Sequence, residues 1–288
     1  MKFGARFYGC EPELLIAKAR LAEAAGYESI WRGDHLILPV HAETDYPYGT
    51  RPGRPFAADT PLLDVVVTLG FLAAATSTIR LATGVYVLPL RDVYTTARAV
   101  QTLDILSQGR VIFGVGVGWL REEFDIVGRP FADRGAVTDE AVEILRRLWR
   151  DDEPSYEGRH HRLPPVRFEP KPVQQPHPPV VFGGESDAAL RRVARCGDGW
   201  YGHRQSAAEV APIVGRIDAL RREAGRDHLP FEVTTRVTPD VGAEELDALT
   251  NAGVHRVVVE FGSFSDVEGR ADLRGLEDFG ERVISRCQ

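Results

Sequence analysis

Short apolar segments and longer amphipathic segments alternate along the whole chain. The short segments are rich in β-branched and aromatic residues and predict eight strands, at residues 3–8, 29–32, 79–87, 110–116, 179–182, 199–201, 231–237 and 254–260. Several of them contain continuous apolar runs, which is typical of strands that helices cover on both faces. The segments between them repeat apolar residues every three or four positions and predict helices at 11–25, 61–75, 93–107, 137–148, 187–195, 210–220, 243–251 and 272–286.

The count of strand and helix pairs predicts the architecture. Eight pairs within 288 residues, with no change of composition that would mark a second domain, favour one (β/α)8 TIM barrel over residues 1–288. The connections 33–60 and 117–131 are long and follow strands, so we expect them on the carboxyl-terminal face, where barrel enzymes build their sites. The connection 151–178 is an insertion after the fourth helix, and residues 155–163 predict a small β-hairpin in it.

Composition and charge narrow the function classes. The chain is 43% hydrophobic and 27% charged with a net charge of -7, so it can bury a large core and offers no basic block for nucleic acid. The three cysteines, Cys10, Cys196 and Cys287, have no metal or redox spacing, and no apolar stretch approaches the length of a membrane span. The chain also starts without the pattern of a signal peptide. We therefore expect a cytoplasmic protein with small-molecule ligands and no metal.

A carboxylate and an imidazole follow the second predicted strand. Asp34 and His35 should lie at the carboxyl-terminal end of the barrel, where a histidine can exchange a proton near neutral pH and an adjacent aspartate can orient a ligand. The spacing fits equally well a turn cap beside a structural histidine. Position on the barrel favours the catalytic interpretation.

Glycines mark three further segments. Gly84 interrupts an otherwise β-branched strand, which indicates a bulge or a close approach of a ligand. The fourth strand runs into alternating glycines at 114–118, but Trp119 stands where a dinucleotide-binding motif needs the next glycine. Residues 183–186 form a Gly-Gly turn before a helix that Ser186 can cap. A plain helix cap is the commoner meaning of such a turn, but its position on the same barrel face as Asp34 and Gly84 favours an anion site.

Taken together, these motifs resemble the bacterial luciferase-like monooxygenase superfamily, especially its coenzyme F-420-dependent oxidoreductases. The resemblance runs in order from about residue 3 to residue 200. It rests on Trp31-x-x-Asp34-His35, Thr83-Gly84-Val85, Leu103-Asp104-x-Leu106-Ser107-x-Gly109-Arg110, Gly114-Val115-Gly116-x-Gly118-Trp119, Gly183-Gly184-Glu185-Ser186 and Gly197-Asp198-Gly199-Trp200.

The resemblance implies a role for each motif. Gly84 and Val85 correspond to a bulge with a cis peptide bond that supports the cofactor ring, and His35 to the acid/base group, with Asp34 beside it. The resemblance implies that the ribityl chain of the cofactor lies along Gly116, Val117 and Gly118. It implies that the cofactor phosphate binds at Gly183, Gly184, Glu185 and Ser186, and that the substrate contacts Trp31 and Trp119. Some sugar-phosphate dehydrogenases of the family carry a carboxylate at the position of Trp119, so its absence argues against that substrate.

The cofactor decides the reaction. A 5-deazaflavin such as F-420 transfers hydride, whereas reduced FMN activates oxygen. The Asp34-His35 pair resembles the F-420 branch, and 32 arginines against 3 lysines agree with the actinobacterial codon bias common among organisms that make F-420. The resulting hypothesis is an F-420-dependent oxidoreductase of a small organic substrate. The alternatives are an FMN-dependent monooxygenase and a non-catalytic flavin-binding relative, and retention of Asp34 and His35 argues against the latter. Family members are often homodimers.

Overall fold

A computed structural model describes residues 1–48, 53–262 and 271–286 of the protein. The strands are β1 (Lys2–Arg6), β2 (Ser29–Arg32), β3 (Arg80–Thr83), β4 (Tyr86–Val87), β5 (Val111–Gly116), β6 (Tyr156–Glu157), β7 (Arg162–Leu163), β8 (Val180–Gly183), β9 (Gly199–Arg204), β10 (Glu232–Val237) and β11 (Arg256–Glu260). The helices are α1 (Pro12–Ala24), α2 (Val65–Ala75), α3 (Val93–Leu106), α4 (Arg121–Ile126), α5 (Arg134–Arg150), α6 (Asp187–Cys196), α7 (Ala207–Glu223), α8 (Ala243–Asn251) and α9 (Ala271–Arg282), with 3-10 turns at Leu88–Leu90 and Ile284–Arg286.

The parallel sheet closes on itself. β1 pairs with both β2 and β11, and β3 pairs with both β2 and β5, so that no edge is left on either side. β3 and β4 together form one barrel position, which makes eight positions in all. The predicted (β/α)8 barrel is confirmed. The hairpin predicted at 155–163 is also present, as the antiparallel pair β6 and β7 in the insertion after α5.

Two elements depart from the predicted boundaries. The predicted strand 79–87 is split, because the chain leaves the sheet at a cis peptide bond between Gly84 and Val85. The long connection 117–131 contains the short helix α4, which carries only six residues and therefore shows too little periodicity to be recognised. Of the predicted features, Cys287 and part of the connection 33–60 lie outside the described residues.

Local sequence explains where the helices begin. Asp64 accepts a hydrogen bond from the Val67 amide at 2.9 Å at the start of α2, and Asp92 accepts one from the Thr95 amide at 2.8 Å at the start of α3. Between helices and strands lies the main apolar core, while a smaller cluster that includes Trp31, Ile112 and Tyr201 fills the barrel interior. The barrel interior is therefore packed with side chains and serves as a scaffold for the loops at its carboxyl-terminal mouth.

Candidate active site

A cavity of about 420 Å³ opens at the carboxyl ends of the strands, within the size range of small-molecule and cofactor sites. The predicted connection 33–60 contributes Tyr46, Tyr48 and Phe56 to its wall. The structure brings most of the predicted site residues together around it: Asp34, His35, Gly84, Val85, Gly116, Val117, Gly118, Trp119, Gly183, Gly184 and Ser186. Trp31 and Glu185, which were predicted with them, do not line this cavity.

The bulge at Gly84 and Val85 forms the floor of the cavity. The peptide bond between them is cis, as the family resemblance implies. A β-carbon at Gly116 would lie 2.5 Å from Val85 Cγ2, and one at Gly183 would lie 3.1 Å from Val85 Cγ1. The two glycines thus leave the space that the Val85 side chain fills. The result is a smooth apolar surface bounded by glycine backbone, which fits a planar ring.

Trp31 lies beneath this floor, in the cluster that fills the barrel interior, and does not line the cavity. Its side chain is fully buried and stacks on Tyr201 with ring centroids 4.8 Å apart, and its Nε1 donates to Ser29 Oγ at 2.8 Å. A β-carbon at Gly84 would come within 3.1 Å of Trp31. Side chains within a barrel strand face either the interior or the helices, whereas the mouth is built by residues after the strand ends. Trp31 lies within β2 and therefore faces the interior. Trp119, in contrast, does line the cavity.

Asp34 holds the cavity wall together. Its two carboxylate oxygens accept hydrogen bonds from Arg91 Nη1 and Nη2 at 2.7 and 2.8 Å, and Oδ2 also accepts one from the Val87 amide at 2.9 Å. The side chain has no exposed surface. A carboxylate saturated by three donors is suited to position the loop after β2 against β4, and not to exchange protons with a ligand.

His35 is held by a carboxylate that the sequence pattern did not reveal. His35 Nδ1 lies 2.9 Å from Glu123 Oε2, and the amides of Leu36 and Ile37 donate to Glu123 Oε1 at 2.5 and 3.2 Å. Because a carboxylate accepts, Nδ1 must carry a hydrogen, and in a neutral imidazole this makes Nε2 the acceptor. Glu123 is 88 residues away from His35 in sequence. It lies buried in α4, and nothing in the sequence distinguishes it from the neighbouring acidic residue Glu122.

The turn at residues 183–186 lines the cavity with Gly183, Gly184 and Ser186. Gly184 has a φ of 108°, which favours glycine, and Ser186 caps α6 by accepting from the Ala189 amide at 3.3 Å. The amides of the first turn and the helix dipole together attract an anion. Glu185 points elsewhere: it accepts from the His203 amide at 3.0 Å, and burial raises the pKa of its carboxyl.

Three basic side chains that line the cavity also escaped sequence analysis. Arg6, His203 and Arg236 line the cavity from β1, β9 and β10. Charged residues at or near the carboxyl end of otherwise apolar barrel strands were a usable signal, because that end faces the site. Within the described parts of the chain, no group of three His, Cys, Asp or Glu side chains could hold a metal ion, and no helix is long and apolar enough to cross a membrane.

The family model for luciferase-like monooxygenases matches residues 9–282. The chain belongs to the luciferase-like monooxygenase family. Members of this family are oxidoreductases and monooxygenases.

Relatives of this luciferase-like protein carry both kinds of cofactor in their names. An uncharacterized protein of Mycobacterium tuberculosis is 33% identical over 276 residues, covering 94% of each chain. The FMNH2-dependent dimethylsulfone monooxygenase of Pseudomonas fluorescens is 26% identical over 89% of this chain and 67% of its own. The coenzyme F-420-dependent tetrahydromethanopterin reductase of Methanopyrus kandleri superposes with a TM-score of 0.80 at 18% identity, over 100% of this chain and 99% of the other, which shows a shared fold.

Proposed function

We propose that this luciferase-like protein is an F-420-dependent oxidoreductase that moves a hydride between the cofactor and a small organic substrate. The observation that carries the proposal is the His35–Glu123 pair: His35 lines the cavity, and its Nδ1 lies 2.9 Å from the buried Glu123 carboxylate. Oxidation of an alcohol releases a proton as well as a hydride, and a histidine with a free Nε2 can accept that proton. A flavin monooxygenase that activates oxygen depends less on a protein base that removes a proton from the substrate.

The cavity has the parts that such a cofactor requires. The Val85 surface would support one face of the ring, the glycines at 116–118 would follow the ribityl chain, and the turn at 183–186 would bind the phosphate. When bound, the deazaflavin supplies a carbon that accepts or donates hydride and reacts sluggishly with oxygen. The aromatic side chains of Tyr46, Phe56 and Trp119 would exclude water from the opposite face.

In this proposal His35 exchanges the proton and Glu123 positions it. His35 Nε2 takes the hydroxyl proton of the substrate as the hydride leaves, and returns it in the reverse direction. The Glu123 carboxylate, 2% exposed, stabilises the imidazolium that forms and fixes the orientation of the ring. Phe56 and Trp119 contact the same ring edge to face, at 5.0 and 5.9 Å between centroids, and limit its rotation.

The proposal is tested by replacing the histidine. Purified protein is supplied with F-420 and a panel of small alcohols and hydroxy acids, and loss of cofactor absorbance is followed. His35→Ala should abolish turnover and leave the F-420 affinity nearly unchanged. His228→Ala is the control, because His228 is exposed in the loop before β10. A His35→Ala variant that turns over near the wild-type rate would refute the assignment.

An FMN-dependent monooxygenase is the second candidate. It is favoured by the 26% identity to an FMNH2-dependent dimethylsulfone monooxygenase over most of this chain. The same floor and phosphate turn fit FMN, so formation of an oxygenated product from reduced FMN, oxygen and substrate, with no turnover with F-420, would establish it. The homodimer and the cytoplasmic compartment stay predictions, and size-exclusion chromatography with light scattering tests the first.

A further inference from the structure

Tyr46 brings a hydroxyl group into the cavity from the loop after β2. Its side chain lines the cavity. Its ring packs edge to face against the rings of Trp119, Tyr48 and His203, with centroids 5.1, 5.5 and 5.9 Å apart. Its backbone amide donates to the Gly53 carbonyl at 2.9 Å. These contacts hold the ring in one orientation, so the protein itself fixes the position of the hydroxyl.

The Tyr46 hydroxyl accepts a hydrogen bond from the Arg236 side chain. A guanidinium has donors and no acceptor, so this contact uses a lone pair of the tyrosine oxygen and leaves the hydroxyl hydrogen available for a second bond. In the part of the chain that the structure describes, no acceptor forms a hydrogen bond with that hydrogen. Burial raises the pKa of the Tyr46 hydroxyl, and the nearby Arg236 and Arg6 oppose this effect only in part, so the hydroxyl stays protonated near neutral pH.

The contact with Arg236 strengthens Tyr46 as a donor. A hydroxyl that accepts from a charged donor is polarised, because hydrogen bonds in a chain reinforce one another. Arg236 is in turn held by Glu260, with 3.2 Å between Arg236 Nη1 and Glu260 Oε1, and the two side chains are 9% and 8% exposed. The chain from Glu260 through Arg236 to Tyr46 is therefore shielded from water and keeps its geometry. The polarisation comes from this contact and requires no surplus of charge at the arginines.

One indole ring contacts both Tyr46 and His35. Trp119 lies edge to face with His35 at 5.9 Å between centroids and with Tyr46 at 5.1 Å. The base and the hydroxyl therefore lie in the same part of the cavity. His35 Nε2 accepts, whereas Tyr46 donates. An alcohol oxygen needs both partners, because it gives its proton to a base and gains negative charge that a fixed donor stabilises.

We propose that Tyr46 is a second catalytic residue, whose hydroxyl donates a hydrogen bond to the substrate oxygen that gives its proton to His35. In the oxidation direction that oxygen loses its proton to His35 Nε2 while the hydride leaves the adjacent carbon. Tyr46 stabilises the negative charge that the oxygen carries in the transition state. In the reverse direction the same hydrogen bond polarises the carbonyl group. The inference rests on the proposed function, because it adds a group to the same reaction.

Acetophenone and α-methylstyrene test this hydrogen bond without turnover. The two molecules have nearly the same shape, and only the ketone has an oxygen that can accept. Both are titrated calorimetrically into the full-length protein, cofactor-free and saturated with F-420. Tyr46→Phe should bind acetophenone about 2- to 10-fold more weakly than the wild type, which is the contribution of one hydrogen bond, and should bind α-methylstyrene equally well.

Three results of these titrations would overturn the proposal. The first is an unchanged acetophenone affinity in Tyr46→Phe. The second is an equal loss for both ligands, which would mean that the variant disturbs the packing of the ring. The third is a wild-type protein that binds α-methylstyrene as tightly as acetophenone. The cofactor-free titration gives its answer whichever cofactor the enzyme uses, so its failure is distinguishable from failure of the proposed function.

Steady-state kinetics separates a catalytic role from a role in binding. In the F-420 reaction, Tyr46→Phe should lower kcat about 100-fold and change KM little, since a donor to a developing oxyanion acts mainly in the transition state. Tyr94→Phe is the matched control and should keep the wild-type kcat, because the Tyr94 hydroxyl donates to the Arg162 carbonyl at 3.0 Å in the insertion hairpin. A wild-type kcat in Tyr46→Phe, or a loss confined to KM, would overturn the catalytic role.

Discussion

Asp34 should contribute more to stability than to proton transfer. Its carboxylate accepts from both Arg91 Nη atoms and from the Val87 amide, at 2.7 to 2.9 Å. Asp34→Ala would leave an arginine that is only 13% exposed without its anion, together with a buried amide without an acceptor. Breaking a buried pair in this way costs about 3–5 kcal/mol. Asp34→Asn keeps the shape and one acceptor, so we expect a smaller loss.

Urea unfolding followed by circular dichroism measures this difference. The control is Asp187→Ala, because Asp187 and Arg191 form an exposed pair on α6 with 3.6 Å between the charged atoms. That variant should lose less than about 1 kcal/mol. A loss below about 1 kcal/mol for Asp34→Ala as well would refute the interpretation of Asp34 as a buried anchor.

Three further predictions concern the site. Glu123→Gln should slow the F-420 reaction about 10- to 150-fold in steady-state assays, since one charge-assisted hydrogen bond to His35 is lost, and a wild-type rate would contradict this. Gly183→Val should weaken F-420 binding measured by fluorescence titration, because even a β-carbon at this position would lie 3.1 Å from Val85. Unchanged affinity would mean that the cofactor phosphate binds elsewhere. Burial raises the pKa of the Glu260 carboxyl, but the charges of Arg6 and Arg236 outweigh this effect and lower it from 4.5 to about 2. The ionised Glu260 therefore stabilises the folded state fully above pH 4.5, and this contribution is lost as the pH falls toward 2. Glu260→Gln should flatten the dependence of the urea unfolding midpoint on pH in that range. An unchanged slope would contradict this role of Glu260.

Strand and helix periodicity was sufficient to predict the barrel. Each barrel strand packs against helices on its outer face, so the sequence repeats one local pattern eight times, and the number of repeats determines closure. The break at Gly84 could be anticipated from a glycine inside a β-branched run. The short helix α4 could not, because six residues show less than two turns of periodicity.

Site residues were predictable from the sequence only where the backbone requires a particular residue type, such as glycine. The glycines at 116 and 183 are needed because Val85 fills the space beside them, and such a need is visible as glycine in the sequence. Tertiary structure brings Glu123 to His35 and Arg236 to the cavity, since their partners lie 88 and 24 residues away in sequence. Trp31 was grouped with the site because it precedes Asp34 by three residues, but the twist of the strand turns it into the barrel interior.

In the proposed function, this luciferase-like cavity binds F-420 for hydride transfer. A pair of titrations of the purified protein, one with F-420 and one with FMN, each followed by quenching of the cofactor fluorescence, tests this. We predict that F-420 binds more tightly than FMN. Tighter binding of FMN would contradict the claim.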